Sequence, residues 1–177
     1  MINAVCDLGT HLCDTITRNP QHKRYDCIVL DLDGSLVYSS NKNYGAGERI
    51  MFKNMYGEEE NLWVHKRPGF DMFLEKCFGL STVGVWSMGQ PGYVEAIVSL
   101  FPHRPSFVYN WCDCDREPGR IFKQLDNIPH QGSVVMIDDK RDTLKETGRV
   151  DTMIIPEWHP RHEKDRTLYH LIPILCM

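Results

Sequence analysis

Four short apolar runs punctuate an otherwise polar chain, and the residues that follow them are acidic, hydroxylic or proline. Asp26–Leu32 (DCIVLDL), Thr82–Trp86 (TVGVW), Ser133–Ile137 (SVVMI) and Thr152–Ile155 are continuous rather than alternating, the pattern of strands buried on both faces. Between them the apolar spacing changes to the helical period. After Pro68, suited to a first helical turn, Phe70, Phe73, Leu74 and Cys77 fall on one face. Val94, Ile97, Val98 and Phe101 do the same after a Gly/Pro turn, and Pro102 and Pro105 end that second helix. Strand and helix in repeated alternation predict an α/β fold with a central parallel sheet flanked by helices.

Three stretches are less regular. Asn41–Glu60 is polar and contains several glycines, which predicts an irregular excursion. Ser106–Arg116 alternates loosely, as a hairpin or two short edge strands would, and Ile121–Leu125 reads as a short helix. No repeat or Gly/Ser/Pro-rich linker divides the chain. One domain is therefore expected over residues 25–177, preceded by an extension, residues 1–24, expected to be helical and packed on it.

Composition narrows the classes. With 42% hydrophobic and 25% charged residues the chain can bury a core, which excludes general disorder. Twenty basic against 24 acidic residues give a net charge of −4, so a uniformly basic surface for nucleic acid or membrane is excluded. Seven scattered cysteines without a CxxC pair read as reduced thiols. Asp7 and Asp14 interrupt the apolar N-terminal stretch, and no run of about 18 uncharged apolar residues occurs. A soluble intracellular protein is expected, cytoplasmic or nuclear and not secreted, with neither nucleic acid nor membrane as direct partner.

The chemistry should lie beyond the carboxyl ends of the strands, where open parallel sheets bind their ligands. Asp31 and Asp33 follow the first run, Ser87 the second, and Asp138 with Asp139 the third, while Lys123 lies just ahead of the third. Four carboxylates gathered in one place repel one another unless a cation intervenes, and oxygen-only ligands suit Mg²⁺. Other metal-like groupings are weaker. Cys112 and Cys114 with His103 or His130 lack a second paired cluster, and Pro160 places His159, His162 and Glu163 around a helix start.

The segment DLDGSL at Asp31–Leu36 resembles the first motif of the haloacid-dehalogenase superfamily of phosphohydrolases, and Ser87, Lys123 and the pair Asp138–Asp139 match its second, third and fourth motifs in order. Within it, VHKRPGFDMFLEKC at Val64–Cys77, VGVWS, Tyr93 and the FKQL segment before VVMIDD resemble the RNA polymerase II C-terminal-domain phosphatase-like branch. Small CTD phosphatases and NLI-interacting-factor-like proteins belong to that branch. The likeness spans roughly Tyr25–Pro160. It implies a Rossmann-like domain with a small β insert between the second and third motifs, around Ser106–Arg116, and no large cap.

It also implies a Mg²⁺-dependent phosphatase. Asp31 would form an aspartyl-phosphate, and Asp33 would protonate the leaving oxygen and then activate water. Mg²⁺ would be held by Asp31, the Asp33 carbonyl and the fourth motif, with Asp139 favoured over Asp138. Ser87 and Lys123 would hold phosphoryl oxygens, with Gly34, Ser35, Met88 and Trp111 around the substrate. The implied substrate is phosphoserine or phosphothreonine on a protein such as the RNA polymerase II C-terminal domain. Gly34 stands where many branch members carry an acidic residue, so a small-molecule or nucleotide phosphatase stays open, as does a non-catalytic binding module. Arg67 is open between a structural carboxylate partner and a substrate contact. Phe107, Tyr109 and Trp111 are open between a wall of the site and core.

Overall fold

A computed structural model of the chain describes residues 25–162 and 164–176; the extension expected over residues 1–24 and the side chain of Glu163 lie outside the described residues. In chain order the first strands are β1 (Cys27–Leu30), β2 (Val37–Ser40), β3 (Glu48–Lys53), β4 (Glu59–Lys66) and β5 (Thr82–Trp86). They are followed by β6 (Phe107–Tyr109), β7 (Asp115–Glu117), β8 (Arg120–Gln124), β9 (Val134–Asp138), β10 (Leu144–Lys145) and β11 (Val150–Ile154). The helices are α1 (Phe70–Leu80), α2 (Pro91–Val98) and α3 (Thr167–Cys176). None is long and apolar enough to cross a membrane.

All four apolar runs join one parallel sheet of order β11-β9-β1-β5-β6. From β1 the chain builds β5 and β6 on one side and then returns to lay β9 and β11 on the other. This reversal beside β1 opens a crevice at the carboxyl ends of the strands, the place where such sheets bind ligands. Leu30 is in register with Ile137, so the residues that follow, Asp31 and Asp138, leave the sheet at the same level.

Side chains alternate across the sheet. Ile28, Leu30, Val83, Val85, Val135 and Ile137 share a core with Phe73 of α1, Ile97 of α2 and Leu171 of α3. Cys27, Val29, Trp86, Val134 and Met136 pack on the opposite face with Leu125, Ile128 and Leu144. Each fully buried aliphatic or aromatic side chain contributes roughly 1.5–3 kcal/mol, so two covered faces require the continuous apolar runs. Among the described residues the helices cover one face only. The other is covered by the small sheet β10-β8-β7 and irregular turns. Gly84 is needed in mid-strand because a Cβ there would lie 2.0 Å from the Phe107 ring.

Three expectations are corrected. Within Asn41–Glu60 lie β3 and the start of β4, part of an antiparallel sheet β2-β4-β3. Its tip is a formed turn in which Asn54 Oδ1 accepts from the N–H groups of Tyr56 and Glu58. The pattern was weak because Glu48, Arg49, Met51 and Lys53 face solvent and only Ile50 is fully buried in β3. Ile121–Leu125 is not helical. It carries most of β8, antiparallel to β7 and parallel to β10, where pairing with both neighbours overrides a local apolar spacing compatible with a helix. The expected insert is also divided: Phe107–Tyr109 forms the edge of the main sheet, and the separate hairpin begins at Asp115.

Candidate active site

The β1/β9 register brings two carboxylates side by side. The Asp31 N–H donates to the Ile137 carbonyl at 3.0 Å, and Asp31 and Asp138 retain only 7% and 1% exposure. Buried charge needs a partner. The end of β8 supplies Lys123, whose Nζ donates to Asp31 Oδ1 at 2.6 Å and to Asp138 Oδ2 at 2.7 Å. Burial opposes the Lys123 charge, but the two carboxylates outweigh it and hold the ammonium above its ordinary range.

One cation does not balance the cluster. Burial pushes the Asp31 carboxyl up and the Asp138 charge adds to this, against the pull of Lys123. Burial likewise raises Asp33 and Asp139, the latter also through the neighbouring Asp138. The two members of the fourth-motif pair differ in their bonding. Asp138 has both oxygens engaged, one by Lys123 and one by the Lys140 N–H at 2.8 Å. Asp139 accepts from the Ser35 hydroxyl at 3.2 Å through Oδ1, while its Oδ2 is buried without a hydrogen bond, with Lys140 Nζ 3.9 Å away.

Asp31, Asp138 and Asp139 each bring one oxygen within 4.8 Å of the others, the one group of this kind among the described residues. An orphaned buried oxygen inside an all-carboxylate set fits a hard divalent cation such as Mg²⁺. Gly34 completes the cradle. Its φ is +78°, and a Cβ there would lie 2.7 Å from Asp139 Oδ2 and 3.1 Å from Glu157 Cγ. Both the left-handed backbone and the lack of space require glycine.

Asp33 stands at the rim. Its Oδ1 accepts a hydrogen bond from the Tyr93 hydroxyl, which in turn meets Ser39 Oγ at 2.6 Å. Burial first, then the Asp33 charge, raises Tyr93 far above the phenol range, so the hydroxyl stays protonated as a donor. Ser87, buried at the end of β5, accepts from the Gly89 N–H at 3.0 Å. Met88 is half-buried beside the aromatic residues of the second core.

The structure gathers Asp31, Lys123, Asp138, Asp139, Ser35 and Gly34, with Asp33 beside them, and puts Ser87 and Met88 on the loop after β5. Trp111 adjoins that loop: its backbone N–H donates to Gly89 O at 2.9 Å, and its indole lies under Arg116, 4.4 Å from centroid to guanidinium. Phe107 and Tyr109 are core-facing, with Tyr109 edge-on to Trp86 at 5.2 Å. Arg67 is structural. At 1% exposure it donates to both oxygens of Asp165, to Thr167 Oγ1 and to the carbonyls of Ser35 and Pro156. Sequence reasoning assigned Tyr93 and Ser39 no role; the signal available for Tyr93 was its place on the inward stripe just ahead of Val94.

Residues 26–176 match the model of the NLI interacting factor-like phosphatases. The chain belongs to that family. Within it, Phosphatase PSR1 of Saccharomyces cerevisiae is 31% identical over 157 residues, 84% of this chain and 35% of that protein. The human CTD small phosphatase-like protein is 24% identical over 171 residues, 85% of this chain and 60% of that one. The chain thus spans 35% and 60% of the length of these two relatives. The fission yeast RNA polymerase II CTD phosphatase Fcp1, solved bound to beryllium fluoride, superposes with a TM-score of 0.52 at 18% identity, covering 85% of this chain and 51% of that chain. This likeness shows that the two share a fold. The family match also takes in α3, beyond the Pro160 at which the motif resemblance ends.

Proposed function

We propose that this domain is a Mg²⁺-dependent phosphatase that hydrolyses phosphomonoesters through a phosphorylated Asp31, acting on phosphoserine or phosphothreonine of a protein. The observation that carries this reading is the excess of buried carboxylate around Lys123, with one Asp139 oxygen left without a hydrogen bond, in a family whose relatives are phosphatases. Lys123 fixes the Asp31 carboxylate, whose attack on phosphorus forms an acyl-phosphate as the ester oxygen departs. Asp33, its proton affinity raised by burial, donates that proton to the leaving oxygen. As carboxylate it then takes a proton from the water that cleaves the acyl-phosphate. The Tyr93–Ser39 pair holds Asp33 at the rim through both steps. Lys123 and the Ser87 hydroxyl neutralise and orient phosphoryl oxygens.

Asp31, Asp139 and the Asp33 carbonyl would hold the cation, with Asp138 serving to fix Lys123. When bound, Mg²⁺ supplies the positive charge that lets an anionic carboxylate approach an anionic phosphate. Protein-linked phosphate is supported by relatives named as CTD small phosphatases and by the short strands β7 and β8 between the second and fourth motifs. The case for a small-molecule substrate rested on Gly34, and its backbone angle and the closeness of Asp139 give that glycine a structural reason.

The test is turnover of an aryl phosphate, phosphoserine peptides and nucleotides, each with and without EDTA. Aryl phosphate and phosphopeptides should be hydrolysed, with activity lost to EDTA and restored by Mg²⁺. Undiminished activity in EDTA would sink the metal assignment, and turnover confined to nucleotides would sink the protein substrate.

A further inference from the structure

The segment after β11 is fixed to the first-motif loop by the Trp158 N–H, which donates to Gly34 O at 2.8 Å. The next residue, His159, lies 4.4 Å from Tyr38 and 5.1 Å from Tyr44, ring centroid to centroid. Tyr44 is also flanked by two exposed cations: Lys42 Nζ lies 5.2 Å and the Arg161 guanidinium 5.7 Å from its ring centroid. Neither forms an ion pair with a carboxylate among the described residues, whereas Lys140, nearer the acidic centre, already faces Asp139 and Glu157. Beneath them His65, 5% exposed, accepts the Tyr44 N–H at Nε2 and leaves its Nδ1 buried without a partner.

Two like charges drawn to one aromatic ring repel each other, and the arrangement gains most when an anion lies against both. The face adjoins the site because Trp158, the residue before His159, is hydrogen-bonded to the carbonyl of Gly34, which directly follows Asp33. An extended peptide advances about 3.3 Å per residue, so one chain can engage both places. We infer that Lys42, Tyr44 and Arg161 form a subsite for a second anionic side chain of the phosphorylated substrate, a carboxylate or another phosphate a few residues from the reacting one. This rests on the phosphatase reading above and adds a preference for acidic or multiply phosphorylated segments.

The experiment compares phosphoserine peptides whose flanks carry neutral residues, glutamates or a second phosphoserine, on either side. For each, kcat/KM is measured by phosphate release and Kd by fluorescence anisotropy. The wild-type domain should favour anionic flanks over neutral ones by about three- to tenfold at low ionic strength, the range of two screened charge contacts, and the ratio should shrink with salt. In Lys42→Glu/Arg161→Glu the ratio should fall to one or invert, with thermal unfolding confirming the fold. The glutamate and second-phosphate arms separate the two sources of the anion. Equal values for all flanks, or a preference that survives the double variant, would overturn the subsite. Absence of turnover on every peptide would sink the phosphatase reading instead, while the Kd series would still decide the subsite.

Discussion

Lys123 and Arg67 are both buried to 1% exposure and both bond carboxylates, yet they are held in opposite ways. Arg67 meets one carboxylate, a hydroxyl and backbone carbonyls, and its pull on Asp165 outweighs burial, holding that acid below the usual carboxylate range. Lys123 meets two carboxylates at the centre of a larger set, in which Asp31 and Asp139 are pushed up. A structural buried cation is satisfied by the chain itself. A buried cation at a reactive centre leaves a surplus of negative charge for a ligand to complete.

The sharpest break between the two regions is Asp31→Asn. Turnover should fall by about a thousandfold or more, because an amide cannot form the acyl-phosphate, while thermal unfolding without metal should be no worse than in the parent. Retained activity of the purified variant would remove the nucleophile assignment. Arg67→Ala should act in reverse. It leaves Asp165 uncompensated and should cost about 3–5 kcal/mol of stability, read by denaturant unfolding. An unchanged midpoint would mean that Arg67 is not the tie described above.

Asp33→Asn should slow phosphoserine peptides by about a hundredfold but an aryl phosphate less, because a phenolate needs little help to leave. Equal losses on both substrates would count against Asp33 as general acid. The smallest effect is on pH dependence. Asp165 is depressed in the fold, so its pairing with Arg67 contributes stability above the unfolded value near 3.8, and that contribution is lost as pH falls through the folded value. Asp165→Asn should therefore be less stable at neutral pH yet lose less stability on acidification below about pH 4. A parent and variant with parallel acid transitions would contradict this.

Much of this centre was legible in the sequence because parallel strands buried on both faces are continuous apolar words, and the residues after them mark the ligand crevice. That logic located Asp31, Ser87, Asp138 and Asp139. It failed at β3, where exposed charged residues alternate with too few inward ones, and at β8, where pairing with two neighbours decided the structure. Roles made across the fold were hidden for a related reason. The Asp33–Tyr93 bond spans 60 residues and the Arg67–Asp165 pair 98, so no local pattern announces either. The stacking of Trp111 on Arg116 of β7 likewise follows from how the chain turns back, and composition alone does not announce it.

The position of β1 at the middle of the sheet governs the order in which the protein becomes reactive. Asp31 is synthesised 92 residues before Lys123, the cation that holds it, and β9 with its two acids comes later still. Such distant pairings form slowly because loop closure precedes the contacts that reward it. A nascent chain ending before β9 carries Asp31, the proposed nucleophile, but lacks the neighbouring strand and half of the acidic set. A break at the exposed Pro118–Gly119 turn between β7 and β8 would separate Asp31 from Lys123 and both fourth-motif acids, so each fragment should be inactive alone and phosphate release should report their reunion.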